Sequence, residues 1–187
     1  NNTWTLALWG DLNKTIAGNG TTIVYGEKLT LSDGAAIEGT LTADSATLNI
    51  IALTTDNMLN NLSMNSGTLN LINDNVNNLS ANSFNLTGEV NLLLDVDLAS
   101  SSMDRLPTTT TVSTGFINVK GLNLLSDSIE TNTYIPFAYD SFKDSVRTDI
   151  TQVGKDTENI YQTTAYAPIY KYNVSYNPND GTFLFAR

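Results

Sequence analysis

Apolar runs rich in Leu, Ile, Val and Thr recur along the chain, each closed by Asn, Asp, Ser or Gly. Apolar and polar positions alternate inside them, and period-2 alternation between turn residues predicts strands rather than helices. The predicted strands cover residues 4–8, 21–25, 28–31, 46–53, 67–72, 83–86, 89–98, 115–125, 166–176 and 182–185. The best helical window is 142–153, with a period nearer 3.6 and no Pro or Gly inside. Yet its Thr148, Ile150, Thr151 and Val153 are weak helix formers.

Short phrases return. Asn60-Asn61-Leu62-Ser63-Met64-Asn65-Ser66 is echoed by Asn77-Asn78-Leu79-Ser80-Ala81-Asn82-Ser83, with Leu41-Thr42-Ala43-Asp44-Ser45 a fainter copy. Thr47-Leu48-Asn49-Ile50 returns, at a somewhat longer interval, as Thr68-Leu69-Asn70-Leu71. A period of about 20 with polar turns predicts a solenoid, in which no coil buries its apolar face until a neighbour stacks on it. Irregular offsets favour a parallel β-helix, whose loops vary while its strands stay in register.

Asn suits the corners of such a coil because it tolerates the left-handed region, and stacked Asn side chains can bond from coil to coil. The break at Ser100-Ser101-Ser102 and the run Thr108 to Thr111 reads as a turn followed by a strand, with Pro107 at the entrance. From Tyr134 onward the apolar residues become aromatic, as expected of a cap over the open end of a solenoid. Residues 169–176 and 182–185, joined through Asn177-Pro178-Asn179-Asp180-Gly181, form a predicted hairpin.

Composition narrows the partners. Of 187 residues only 15% are charged, against roughly 25% in an ordinary soluble domain, while 24 are Asn and 26 are Thr. Amides and hydroxyls therefore solvate the surface. With 9 basic and 19 acidic residues the formal charge is -10, which repels phosphate backbones and anionic membranes. Nucleic acid is excluded as a partner, and neutral glycans, cations and other proteins remain.

No apolar run reaches the ~18 residues that span a bilayer, so no membrane insertion by this segment is expected. The opening Asn1-Asn2-Thr3-Trp4, without Met, reads as a mature or excised segment. Cys is absent, which removes disulfides and thiolate metal sites and is compatible with export.

Catalytic chemistry has little to work with. The absence of His and Cys removes the usual nucleophilic triads. Gly18-Asn19-Gly20-Thr21 lacks the Lys of a phosphate loop and reads as a turn. Abundant Asp and Asn oxygens are compatible with calcium, but no EF-hand loop or Gly-Gly-x-Gly-x-Asp motif occurs, and neither metal nor cofactor is expected. Asp95 and Asp97, two apart on one strand, are the best acidic pair and with Arg105 could imitate a polysaccharide-cleaving site. The plainer reading puts both on a solvated face, with Asp104 and Arg105 as a surface ion pair.

The stretch Leu93-Leu94-Asp95-Val96-Asp97-Leu98-Ala99-Ser100-Ser101-Ser102-Met103-Asp104-Arg105-Leu106 resembles a phrase near the C-terminal end of bacterial autotransporter passengers: Asp-x-Asp-Leu, a small-residue turn, then Asp-Arg-Leu or Asp-Lys-Leu. The closing hairpin is similar to the same region, and the resemblance covers about residues 40–187. In that family a right-handed parallel β-helix ends in a β-rich cap, and a membrane β-barrel follows in the precursor. The resemblance therefore implies a passenger segment on the surface of a Gram-negative-type bacterium, tethered to an outer-membrane barrel. It also implies a cap that helps the coils fold, a role assigned to Tyr166, Tyr170, Tyr172, Tyr176, Phe183 and Phe185.

The expected fold is all-β: a right-handed parallel β-helix over residues 1–130, closed by an aromatic β-hairpin cap over 131–187. The expected function is non-catalytic, a rigid stalk or adhesin meeting a protein or glycan on a host or neighbouring cell. A polysaccharide-cleaving β-helix enzyme is the alternative.

Overall fold

The fold was obtained as a computed structural model, and the structure describes residues 4–153, 164–166 and 169–187. The chain is almost all β. Three short strands open it, β1 (Thr5–Ala7), β2 (Gly10–Leu12) and β3 (Thr15–Ile16). Next come β4 (Thr21–Tyr25) and β5 (Lys28–Leu31), which match the alternating runs residue for residue. Three long strands follow, β6 (Ala36–Ile50), β7 (Leu59–Asn70) and β8 (Ser83–Asp97), then β9 (Ser102–Met103) and β10 (Thr110–Ser126). The C-terminal strands are β11 (Asn132–Pro136), β12 (Val146–Val153), β13 (Thr164–Tyr166), β14 (Lys171–Asn177) and β15 (Thr182–Ala186).

The large sheet runs β1-β4-β6-β7-β8-β10-β12, and every neighbouring pair in it is parallel. β2 lies beside β5, and β3 and β5 beside β6, again parallel, while β9 turns back antiparallel on the end of β8. The second sheet, β11-β15-β14-β13, is antiparallel, with β14 and β15 forming the predicted hairpin around Gly181 at φ 72°.

Parallel register stacks like on like. Leu29, Leu48, Leu69, Leu92 and Val119 occupy one column, all fully buried, and the interval between them lengthens steadily along the chain. A second column runs Val24, Ala43, Met64, Leu86 and Val112. Each fully buried Leu contributes about 1.5–3 kcal/mol, and it does so only because a strand lies on each side.

The corners stack as well. β6 spans the break between β4 and β5, and there Gly26, Ser45, Ser66, Gly88 and Gly115 all adopt positive φ, between 51° and 92°. Gly67, beside this column at φ 107°, could not carry a side chain, because a Cβ would sit 2.1 Å from the Ala46 carbonyl oxygen.

Outward positions bond along the columns. Asn70 Nδ2 donates to Asn49 Oδ1 at 3.2 Å, and Asn49 Nδ2 to Thr30 Oγ1 at 3.3 Å. Asn118 Nδ2 reaches Asn91 Oδ1 at 3.2 Å, and Thr111 Oγ1 reaches Asn85 Oδ1 at 2.7 Å. These are the strand-to-strand Asn bonds that the composition suggested.

Several expectations need correction. Residues 142–153 are not a helix: after a single 3-10 turn at Lys143–Ser145 they form β12 against β10, burying Val146 and Ile150 on one side. β-branched residues at alternate positions fit a pleated surface better than a helix. The echo of Asn60 to Ser66 in Asn77 to Ser83 is not a structural repeat, since Asn61 and Leu62 pair with Ser83 and Phe84 rather than with Asn78 and Leu79. Residues 77–80 lie in the connection instead. The other echoes are structural: Thr47, Leu48 and Asn49 pair with Thr68, Leu69 and Asn70, and Leu41 to Asp44 pair with Leu62 to Asn65. A division at residue 130 does not separate the sheets, because β11 joins the antiparallel sheet before β12 returns to the parallel one.

Candidate functional site

The antiparallel sheet packs its aromatic side chains against the end of the large one. Phe183 and Phe185 are fully buried, and the Phe183 ring meets Phe137 at 5.4 Å and Tyr176 at 5.1 Å. Phe137 in turn meets Phe142 edge-on at 6.1 Å. Alternation along β14 sends Tyr172 and Val174 inward, so Tyr172 is buried while its hydroxyl still bridges two groups. It accepts from Ser128 N at 3.0 Å and donates to Asp127 Oδ1 at 3.1 Å, and burial pushes its pKa up. Tyr176 donates to the Lys143 carbonyl at 2.6 Å, and burial, with repulsion from Asp144 and Asp180, pushes it to about 12.

Tyr170 is different. It is 41% exposed, and its ring lies under the Arg187 guanidinium at 4.4 Å. Tyr166 stands in β13, and its side chain lies outside the described residues. The structure thus brings Tyr172, Tyr176, Phe183 and Phe185 together and leaves Tyr170 on the rim.

Polar latches fasten this sheet. Asp127 accepts from the backbone of Ile169 and Tyr170 at 2.9 and 3.2 Å. Arg187 donates to the carbonyls of Ile129 and Glu130 at 2.8 and 3.1 Å. Arg105 donates from Nε to the Phe137 carbonyl at 3.1 Å and stacks on Tyr139 at 3.9 Å. An isolated Asp or Arg carries no periodic signal, so only the fold reveals these partners.

The acidic residues depart from expectation. Asp104 and Arg105 are not a surface ion pair: Asp104 is fully buried and Arg105 faces the aromatic sheet. Asp104 accepts from Asn77 N and Asp95 N, both at 2.7 Å. Desolvation pushes its pKa up to about 8 against the opposing pull of those two amides, and neighbouring Asp95 adds repulsion.

Asp95 is fully buried too, not on a solvated face. One carboxylate oxygen accepts from Asn73 N at 2.7 Å and the other from Asn123 Nδ2 at 2.7 Å, while burial raises its pKa. Asp97 bonds to the hydroxyls of Ser126 and Ser100, and the Ser126 bond holds its pKa below the usual range. Both oxygens of Asp95 are committed, one to the 73–77 connection and one to Asn123 on the next strand, which leaves them little freedom for proton transfer.

Among the described residues no group of three or more acidic side chains is placed to hold a metal ion, and no helix is long and apolar enough to cross a membrane. Comparison with protein-family models, with curated proteins and with solved structures finds no match.

Proposed function

We propose that the chain is a right-handed parallel β-helix segment of a bacterial surface protein, displayed outside the cell as a non-catalytic rod or adhesin. The observation that supports this most is the unbroken column of Leu29, Leu48, Leu69, Leu92 and Val119. Consecutive strands that pair parallel and in register are what successive coils would produce, and right-handed crossovers are the hand such connections take. A stack of this kind transmits length without a large single core, which suits a stalk. The amide and hydroxyl columns give it a flank that stays solvated at low charge. Tethering to an outer-membrane barrel in the precursor belongs to the same proposal, and protease treatment of intact cells producing the parent protein tests it. Cleavage of this segment with cytoplasmic proteins intact is expected, and full protection counts against display.

The cap's part is to template the coils. Parallel pairing is non-local and slow to nucleate, whereas a latched antiparallel sheet offers a finished surface on which β12 and β10 can order. Removal of residues 166–187 deletes Tyr172, Phe183, Phe185 and the Arg187 latch together. Refolding from urea should then slow or end in aggregation; a truncated chain that refolds at the full-length rate and stays monomeric sinks the role.

A further inference from the structure

We infer that Trp9 and Tyr25 form a stacking subsite for a neutral oligosaccharide on the outer flank of the first parallel strands. Tyr25 ends β4 and Trp9 lies just past β1, in the break before β2: Ala7 pairs with Ile23, Leu8 N donates to the Ile23 carbonyl at 2.9 Å, and both rings line one groove. Alternation fixes which way Tyr25 faces. Thr22 and Val24 are fully buried, so Ile23 and Tyr25 point away from the core, Ala7 follows Ile23, and Trp9 lines the same groove. Trp9 is 65% exposed and Tyr25 72%.

Tyr25 stands on β4, one strand in from the edge strand β1, so the open edge does not explain its exposure. Between the rings is a groove of about 270 Å³, just below the lower end of small-molecule sites and too small for a protein domain.

The chemistry favours a sugar. Flat aromatic faces stack on the C–H face of a pyranose, and the carboxylate of Glu27, the one charged lining residue among the described residues, can accept sugar hydroxyls. With no cation lining the groove among the described residues and a net charge of -10, anionic ligands are disfavoured. This subsite rests on reading the chain as a binding surface and deepens it by naming the ligand class.

The test is an NMR and fluorescence titration of the whole chain with neutral hexaoses of glucose, mannose, galactose and N-acetylglucosamine, beside polygalacturonate and a Lys-rich peptide. A saturable shift of the Trp9 indole with at least one neutral hexaose is expected. Trp9→Ala and Tyr25→Ala should each weaken binding about tenfold or more, and Trp9→Phe should keep part of it. Both rings are exposed, so the circular dichroism melt should not move.

Three outcomes overturn the subsite: no neutral hexaose binds, binding survives both substitutions, or only a charged probe binds. Failure here leaves the rod reading to its own tests. A hexaose that binds through these rings and is also cleaved supports the subsite while removing the non-catalytic reading.

Discussion

Raising the pH from 5 to 8 should weaken the fold, through Asp104 above all. Its carboxyl, ordinarily near 3.8, is pushed to about 8 by burial. Below pH 3.8 the group is protonated in both folded and unfolded chains, and its contribution to stability is fully present. Between the two values only the unfolded chain ionises, so each pH unit costs about 1.4 kcal/mol. From pH 5 to pH 8 the loss is about 3–4 kcal/mol, levelling off above pH 8, against a total stability of about 5–15 kcal/mol. Asp95, also raised by burial, acts in the same direction. Asp97, lowered, acts the opposite way and only toward acid pH. Urea unfolding at pH 5, 6.5 and 8 measures the slope, and Asp104→Asn separates this group from the general self-repulsion of a chain with charge -10. The variant should be less stable at pH 5 by about 1–3 kcal/mol, because an amide nitrogen now faces one of the two N–H groups. Its pH dependence should be much flatter. A wild-type free energy that is level or rising from pH 5 to 8, or an unchanged slope in Asp104→Asn, refutes the reasoning.

Two further predictions concern single positions. Gly67→Ala must place its Cβ against the Ala46 carbonyl at φ 107°, and should cost more than about 3 kcal/mol, whereas Gly26→Ala, strained in φ alone with open space around it, should cost about 1–2 kcal/mol. Chemical denaturation of the pair checks the difference, and equal costs would mean that the corner yields. Tyr172→Phe keeps the buried ring but strips partners from Ser128 N and Asp127, and should lower stability by about 1–3 kcal/mol in a thermal melt. No change would show that water replaces the hydroxyl.

The strands were legible where one face is buried and the other wet. β4 and β5 follow from alternation alone, and so does the hairpin of β14 and β15. The first halves of β6 and β7 were missed because Gly39, Asn60 and Asn61 interrupt the apolar count. In a parallel stack those residues sit against a neighbouring backbone or bond along a column. At Gly39 a Cβ would lie 2.1 Å from the Gly20 carbonyl oxygen, so the Gly marks close approach rather than a turn. The sequence of β12 suggests a helix because a short window cannot distinguish periods when β-branched residues crowd it. The aromatic cluster was visible as composition, but Asp104 was not. A lone acid in sequence looks like surface, and only the convergence of the 73–77 connection, the end of β8 and the 103–106 segment turns it into a buried acceptor.

The low charge of the chain follows from the same stacking. In-register parallel strands repeat a side-chain position about every 4.8 Å, so a charge kept at one position would form a column of like charges. Such neighbours repel, whereas Asn, Thr and Ser can donate up the column and accept down it. The acids that do enter the columns obey this rule. Asp44 lies beside Asn65, whose Nδ2 approaches at 3.3 Å, and Asn65 Oδ1 in turn accepts from Thr87 Oγ1 at 3.1 Å. Asp95 lies beside Asn123 and Asp97 beside Ser126, while Glu89, whose register partner is Phe116, is reached diagonally by Asn118 Nδ2 at 3.4 Å. Each of these Asp residues therefore meets a donor where a repeated acid would stand. The abundance of Asn and Thr is thus a consequence of register, and the Asp residues are placed where the next strand can answer them.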